Sequence, residues 1–243
     1  MKKSIIKVFG ILSFTVIVIL TLLYVQTAYT EGMAELFKER LKRLVGNEDF
    51  SDLTYTKSPV EGVYQVIVKG NVIYMTRDGY IFAGILISPD NENLTQRALS
   101  DLRKNLVKNI DLKYAIKIGN GQHQVIEFID PDCPFCRKVS EYLDKKTNVT
   151  RYVFLLPLPI HPQAEPKSMA ILCADNPQQA YMDAMKGKEM PAPSEECKNK
   201  ARPLLDMSKK YGDMLGVRGT PFLIVDNNII EGANFTELER LLK

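Results

Sequence analysis

The sequence predicts an α+β chain in which a small helix-plus-meander unit, a connecting helix and a larger α/β unit follow one another. Short strand-like segments separated by Lys69-Gly70-Asn71 and Asp78-Gly79 indicate an antiparallel meander. Apolar residues recur at helical spacing between Leu94 and Leu106, and strands alternate with helices after Lys113. A chain of 243 residues is long enough for two or three such units.

The first thirty residues have the pattern of an export segment. Three lysines lie within the first seven residues, and an uncharged run, apolar from Val8 to Val25, follows them. Eighteen helical residues span about 27 Å, close to the roughly 30 Å hydrocarbon core. The small residues around Ala28-Tyr29-Thr30 make a weak cleavage motif. Residues 1–30 are therefore predicted to be a signal peptide or an uncleaved membrane anchor, and both put the folded part outside the cytoplasm.

The remaining chain has balanced charge. Without those three lysines it contains 29 basic and 29 acidic residues, and no basic run. Nothing in this distribution predicts nucleic-acid binding. Hydrophobic residues make up 45% and charged residues 25% of the sequence, which is ordinary for a folded protein.

Residues 31–90 form the predicted small unit. Apolar residues between Glu31 and Val45 have helical spacing, and Gly46 is a natural helix stop. Three strands are predicted, at Val63–Val68, Val72–Thr76 and Tyr80–Ile87. A unit this small has little core of its own, which favours its association with another surface.

Residues 91–112 form a predicted linker helix. Asn93, with Gln96 three residues later, matches a capping box, and the helix should run from about Leu94 to Val107. Residues 113–243 form the larger unit. Its predicted strands and helices are, in order, the strand Val125–Ile129, a helix after Cys133, the strand Tyr152–Leu156, helices over Glu165–Ala174, Asn176–Gly187 and Leu204–Leu215, a hairpin of Phe222–Val225 and Ile229-Ile230, and a last helix to Lys243.

The strongest chemical signal is Cys133-Pro134-Phe135-Cys136 between a strand and a helix. The first N–H groups of a helix have no intrahelical acceptor, and with the helix dipole they stabilise a negative charge. Such placement lowers a thiol pKa from about 8.5 to roughly 3.5–7.5 and makes Cys133 a candidate nucleophile. Cys136 lies one turn inside the helix, should be less exposed, and is the candidate resolving thiol.

A metal site is the alternative interpretation of the cysteine pair. A C-x-x-C pair can be half of a zinc site, but the two histidines and the other two cysteines lack metal-ligand spacing, so no metal is expected.

A second motif lies just before a predicted strand and has the sequence Gly219-Thr220-Pro221-Phe222. A cis Thr220–Pro221 bond would direct backbone groups toward the Cys133 sulfur, whereas an isolated X-Pro bond is usually trans.

Together these motifs resemble the thioredoxin superfamily, over about Lys113 to Lys243. The meander with Tyr74-Met75-Thr76-Arg77-Asp78-Gly79 and the Asn93-Leu94-Thr95 helix start extend the resemblance to periplasmic disulfide isomerases of the DsbC/DsbG type. It implies a thioredoxin-like catalytic domain with a helical insertion, preceded by a small cystatin-like dimerisation domain and a linker helix. Pro134-Phe135 resembles the oxidase-like or DsbG-like dipeptide more than Gly-Tyr, so the net redox direction stays open.

The resemblance also implies roles for individual residues. Cys133 would be the nucleophile, Cys136 the resolving thiol, and Thr220-Pro221 the cis-proline loop. Glu127 lies six residues before Cys133, where related proteins place an acid beneath the redox pair that could accept a proton from Cys136. A solvated strand glutamate is the alternative, since strand parity alone does not settle which way Glu127 faces.

The other two cysteines form the second predicted pair. Cys173 and Cys197 lie in the insertion before Pro221, and in an oxidising compartment they are expected to bridge, as the resemblance also implies. A second redox centre is disfavoured, because nothing places either thiol in a shared activating turn.

The predicted function is isomerisation or reduction of incorrect disulfides in exported proteins, without an organic cofactor. The implied partners are misfolded or partly folded periplasmic proteins, a second copy of the chain, and a membrane-bound reductase of the DsbD type. Tethering to the inner membrane is the alternative to a free periplasmic protein. Three alternative functions remain: a monomeric thiol oxidase, a reductase dedicated to one partner, and a redox-independent chaperone.

Overall fold

The computed structural model describes residues 32–46 and 48–243. The predicted signal or anchor segment lies outside these residues. The chain divides into two compact units between Glu92 and Asn93, so the predicted linker helix belongs to the second unit. No helix among the described residues is both long and apolar enough to cross a bilayer.

The first unit is a helix and a four-stranded antiparallel sheet. Helix α1 covers residues 32–45. The strands, in the spatial order β1-β2-β3-β4, are β1 (Thr54–Lys57), β2 (Val63–Val68), β3 (Asn71–Thr76) and β4 (Ile81–Phe82). Val68 pairs with Asn71, and both residues between them, Lys69 and Gly70, have positive φ, as a tight hairpin turn requires.

The third predicted strand of this unit is much shorter than expected. Only Ile81 and Phe82 pair with β3, since the chain bends at Gly84 and leaves the ladder. Alternation of buried and half-buried residues along β2 and β3 directs one face of the sheet to the core. Phe37 of α1 is fully buried there, with ring centroids 5.3 Å from Tyr55 and 5.6 Å from Tyr64.

The second unit contains a five-stranded mixed sheet with helices around it. Helix α2 (Leu94–Val107) is capped by the Asn93 side chain, which accepts from the N–H of Gln96. The elements that follow are a 3₁₀ turn (Leu112–Tyr114), β5 (Ile116–Gly119), β6 (His123–Ile129), α3 (Pro134–Asp144), β7 (Val149–Leu155), α4 (Ala164–Cys173), α5 (Pro177–Met185), α6 (Glu195–Leu215), β8 (Phe222–Val225), β9 (Asn228–Glu231) and α7 (Phe235–Leu241).

The strand order in this sheet is β5-β7-β6-β8-β9, which places β6 at the centre. β6 and β7 are parallel, and the other neighbours are antiparallel. Side chains of β6 alternate between two apolar clusters. Val125 and Ile129 pack in the cluster that contains α3, whereas Ile126 and Phe128 pack with Tyr211 and Leu215 of α6. The central strand is therefore covered on both faces, as strands in a parallel pair usually are.

In the second unit, strand β5 and the start of helix α6 differ from the sequence prediction. β5 was not assigned from the sequence. Helix α6 begins nine residues before Leu204, because the Ser194 side chain caps it by accepting from the N–H of Cys197, and the helix continues through Pro203. A proline inside a helix costs one hydrogen bond and normally marks an end, which is why the pattern predicted only the second half.

Candidate active site

The reactive cysteine lies where the central strand ends and a helix begins. β6 ends at Ile129, and Cys133 is the N-cap of α3, with Pro134 in the first helical turn. The N–H of Cys133 donates to the Asp130 carbonyl at 3.1 Å, and the Cys133 carbonyl accepts the first helical bond, from Arg137, at 3.2 Å. These bonds hold the sulfur at the positive end of the helix.

The two thiols differ in exposure. Both are free, Cys133 retains 5% of its surface and Cys136 has none. Cys133 is thus the more accessible sulfur, although less open than a surface nucleophile. Burial raises the pKa of the Cys136 thiol, and the Thr220 side chain and the backbone N–H of Asp130 only partly oppose it. Cys136 therefore stays protonated near neutral pH.

The proline loop lies against this pair. β8 runs antiparallel to β6, and Phe222 pairs with Phe128, so the residues just before Phe222 adjoin the cysteine turn. The Thr220–Pro221 bond is cis. The Cys133 thiol donates to the Thr220 carbonyl with Sγ and O 3.4 Å apart. The Thr220 hydroxyl oxygen is buried and has no hydrogen-bond partner within the described residues. It lies near enough to Cys136 to lower the pKa of that thiol.

Glu127 points into the protein. It has the strand parity of Val125 and Ile129, on the α3 side of the sheet, and its exposure is 0%. Arg151 of β7 donates through Nε to Oε1 at 2.6 Å and through a terminal nitrogen to Oε2 at 3.0 Å. The interpretation of Glu127 as a solvated strand residue is therefore wrong.

Arg151 joins Glu127 to a larger buried cluster. Its guanidinium also donates to Asp144 at 2.5 Å, and to the Ser140 and Tyr181 hydroxyls at 3.2 Å each. Burial alone would lower the pKa of Arg151, but the charge of Glu127, with Tyr181 and Asp144, raises it above its usual value. Arg151 therefore stays charged although it is buried.

Tyr181 lies in the same buried cluster as the resolving thiol of Cys136. Burial raises the pKa of the Tyr181 hydroxyl, Arg151 opposes the shift, and Glu127 and Cys136 add to it. Neither Arg151 nor Tyr181 was predicted from the sequence. A signal existed for Arg151, the one charged residue in the otherwise uncharged strand Val149–Leu155. Tyr181 gave none, because it occupies an ordinary helical position.

The second cysteine pair is bonded. Cys173 and Cys197 form a disulfide with an S–S distance of 1.99 Å and Cα atoms 5.5 Å apart, which joins the end of α4 to the first turn of α6. Within the part of the chain that the structure describes, no group of three or more His, Cys, Asp and Glu side chains could hold a metal ion.

Comparison with known proteins identifies two matching domain families. Residues 110–240 match a thioredoxin-like domain, and residues 28–96 match the N-terminal domain of disulfide bond isomerase proteins. A Bordetella avium protein named probable thiol:disulfide interchange protein DsbC is 30% identical over 171 residues. That alignment covers 69% of this chain and 60% of the relative's own length.

Two further similarities are to proteins with related names. The Escherichia coli K12 thiol:disulfide interchange protein DsbC is 25% identical over 218 residues, covering 86% of this chain and 88% of the relative. A crystal structure of a disulfide interchange protein from Neisseria gonorrhoeae is 32% identical, with a TM-score of 0.47, and covers 55% of this chain and 96% of that one.

Proposed function

This chain belongs to the DsbC-type family of thioredoxin-like thiol:disulfide interchange proteins, and from that premise we propose that it isomerises or reduces incorrect disulfides in exported proteins. One observation carries the proposal: a free cysteine pair at the start of α3, against a cis-proline loop, with surface left only on Cys133. Cys133 is the proposed nucleophile and Cys136 the proposed resolving thiol.

The reaction is thiol–disulfide exchange at the Cys133 sulfur. The Cys133 thiolate attacks one sulfur of a substrate disulfide, a mixed disulfide forms, and the second substrate sulfur leaves as a thiolate. Attack by another substrate thiolate on the mixed disulfide releases Cys133 with a rearranged substrate disulfide, which is isomerisation. Attack by the Cys136 thiolate instead forms the 133–136 disulfide and transfers two electrons to the substrate, which is reduction.

The Thr220 carbonyl has two consecutive roles in this scheme. In the free protein it accepts from the Cys133 thiol. Once Cys133 is a thiolate or part of a mixed disulfide, it has no S–H to donate. The carbonyl is then available to an N–H of an extended substrate, which would lie alongside Thr220-Pro221 as a short added strand.

Resolution requires Cys136 to lose its proton. The thiol is buried, so the thiolate must be stabilised by the groups around it, the Thr220 hydroxyl and the Asp130 N–H. We assign Glu127 a part in this proton loss that acts through Arg151 and Tyr181: Arg151 holds both Glu127 carboxylate oxygens and donates to the Tyr181 hydroxyl, and Tyr181 lies in the same buried cluster as Cys136. Glu127→Gln should slow release of a trapped mixed disulfide without slowing its formation.

The setting follows from the family and the N-terminal pattern. The proposed location is the periplasm. In the alternative, residues 8–25 stay uncleaved as an inner-membrane anchor, and the mass of the mature protein distinguishes the two.

The first unit is proposed to pair with a second copy. Its surface carries exposed apolar side chains in and around the short strand β4, namely Tyr80, Phe82, Ile85 and Ile87, and one, Val60, in the β1–β2 connection. Each reduction leaves Cys133 and Cys136 as a disulfide, and isomerisation needs the pair in its reduced form. The electron donor that keeps the pair reduced is proposed to be a membrane reductase of the DsbD type.

Refolding of a scrambled multi-disulfide protein tests the function. The wild-type chain should restore activity to the scrambled substrate, and Cys133→Ser should not, whereas Cys173→Ser/Cys197→Ser supplies a control that lacks two other cysteines. Equal recovery with wild type and Cys133→Ser would reject the enzyme and leave the chaperone. Disulfide donation to a reduced substrate by a monomer would identify an oxidase, and activity confined to one partner would identify a dedicated reductase.

A further inference from the structure

Asp130 is a buried carboxylate with no role in the mechanism described so far. It lies in the turn between β6 and Cys133 and has 0% exposure. Its Oδ1 accepts the N–H of Asp132 at 2.7 Å, and its Oδ2 accepts the N–H of Leu158 at 2.8 Å and the imidazole Nδ1 of His161 at 2.9 Å. Removing such a group from water is costly, and these three donors compensate for it.

The backbone of Asp130 meets both cysteines. Its carbonyl accepts from the Cys133 N–H, and its N–H lies where it stabilises the Cys136 thiolate. The peptide groups of one residue therefore fix the start of α3 on one side and contact the resolving sulfur on the other. Any shift of Asp130 alters the surroundings of both sulfurs.

The side chain of Asp130 fixes this position from a separate part of the chain. Leu158 and His161 belong to the loop 156–163 between β7 and α4, and the N–H of Leu156 also donates to the Ile129 carbonyl at 2.7 Å. A carboxylate only accepts, so the shared hydrogen lies on Nδ1 of His161. The His161 side chain is one-quarter exposed, whereas Asp130 is not exposed at all.

We propose that His161 and Asp130 form a positioning pair, which ties the loop 156–163 to the cysteine turn and thereby determines the reactivity of Cys133 and Cys136. Neither residue needs to touch the substrate. The inference rests on the proposed thiol–disulfide exchange, and it adds a specific determinant of that reactivity outside the C-x-x-C segment and the proline loop.

The chain contains a matched control for this pair. His123 donates through Nδ1 to Asp226 Oδ2 at 2.6 Å, and Asp226 Oδ1 also accepts a backbone N–H, that of Gln124 at 2.9 Å. His123 is the first residue of β6, whereas Asp130 follows its last residue, so the two histidine–aspartate pairs lie roughly 20 Å apart along the strand. Loss of the control pair removes a histidine–aspartate contact at the opposite end of the sheet, where the aspartate, Asp226, is 41% exposed.

The test compares His161→Ala, His161→Asn and His123→Ala in the full chain. The readouts are the equilibrium constant of the 133–136 disulfide with glutathione and the rate of Cys133 alkylation by iodoacetamide. His161→Ala should shift the equilibrium toward the disulfide and slow alkylation, each by about threefold or more, as expected for residues in one hydrogen-bond network. His161→Asn places an amide N–H near the Nδ1 position and should restore both values. His123→Ala should leave them unchanged.

Two results would overturn the proposal. One is a His161→Ala protein as close to wild type in both readouts as His123→Ala. The other is additive effects of Asp130→Asn and His161→Ala in the double variant, because a pair that acts as a unit gives a double variant no worse than the worse single one. If circular dichroism shows His161→Ala to be unfolded, Asp130→Asn alone replaces it in the comparison. A wild-type chain that does not exchange with glutathione would instead reject the proposed function.

Discussion

Replacing Arg151 by methionine should destabilise the second unit strongly. The change leaves the Glu127 carboxylate with 0% exposure and without either of its two hydrogen bonds to the guanidinium. Breaking a buried ion pair by removing one partner costs about 3–5 kcal/mol. For a unit of this size that loss corresponds to a fall in Tm of about 6–20 °C.

A surface ion pair gives the control for Arg151→Met. The Lys145 and Glu141 side chains lie 2.9 Å apart at the end of α3, with 70% and 73% of their surface exposed, so Lys145→Met should leave Tm almost unchanged. Far-UV circular dichroism is the suitable probe of thermal unfolding, since the chain contains no tryptophan. The two units can unfold in separate transitions. The Tm to compare between the variants and the wild type is that of the transition that Arg151→Met shifts.

The double variant Glu127→Met/Arg151→Met isolates the cause. Replacing a buried ion pair by apolar residues of similar volume is often neutral or stabilising, so the double variant should recover most of the lost stability. A fall in Tm for Arg151→Met no larger than that for Lys145→Met would refute the reasoning. So would a double variant as unstable as the single one, because the loss would then come from packing rather than from a stranded charge.

Three further predictions concern the cysteines and their neighbours. Cys173→Ser/Cys197→Ser opens a loop with a sequence separation of 24 and should lower the free energy of unfolding by about 3–4 kcal/mol, as seen in guanidinium titrations; an unchanged midpoint would contradict it. Thr220→Val removes a buried hydroxyl without a complete hydrogen bond, so stability should hold or rise while release of the mixed disulfide by Cys136 slows about tenfold in stopped-flow measurements. Wild-type release by that variant would show that the hydroxyl does not stabilise the Cys136 thiolate. Burial raises the pKa of Cys136 and Tyr181 above their ordinary values of 9.0 and 10.0, so the reduced fold keeps protons that the unfolded chain releases. Stability present below about pH 9 should therefore fall at higher pH, by up to about 1.4 kcal/mol per pH unit for each group, and Cys136→Ala should remove the first part of that fall; equal pH dependence in that variant would count against the buried thiol.

Local signals predicted much of this fold. Helix α2 has the predicted bounds, Leu94–Val107, because apolar spacing and the Asn93 cap specify the same element. The strand, turn and helix around Cys133 were also predicted, since C-x-x-C follows a short apolar strand directly. Strand β4 was overestimated, because strand propensity beyond Phe82 did not reveal the bend at Gly84.

The surroundings of the thiols could not be predicted in the same way. Glu127 and Arg151 are 24 residues apart, and their pairing depends on the parallel alignment of β6 and β7, which no local pattern specifies. The same holds for Asp130 and His161, which are 31 residues apart. Strand parity alone does not determine which face of the sheet Glu127 occupies. Its inward orientation depends on the buried Arg151 of the neighbouring strand β7.

These buried pairs bear on how the site responds to a new charge. Buried ion pairs are weak evidence for stability, because apolar replacements usually serve as well. Here both buried acids near the cysteines have their own donors: Arg151 holds Glu127, and His161 with two backbone N–H groups holds Asp130. Those donors are already hydrogen-bonded to the two carboxylates.

Among the described residues, the buried side-chain polar atom left without a hydrogen bond is the Thr220 hydroxyl, and it lies beside Cys136. When Cys136 loses its proton, this hydroxyl is therefore the side-chain group free to donate to the new thiolate, with the Asp130 N–H as its backbone counterpart. If the Thr220 hydroxyl stabilises the Cys136 thiolate, the resolving step depends on the proline loop. The substrate is proposed to lie against that same loop.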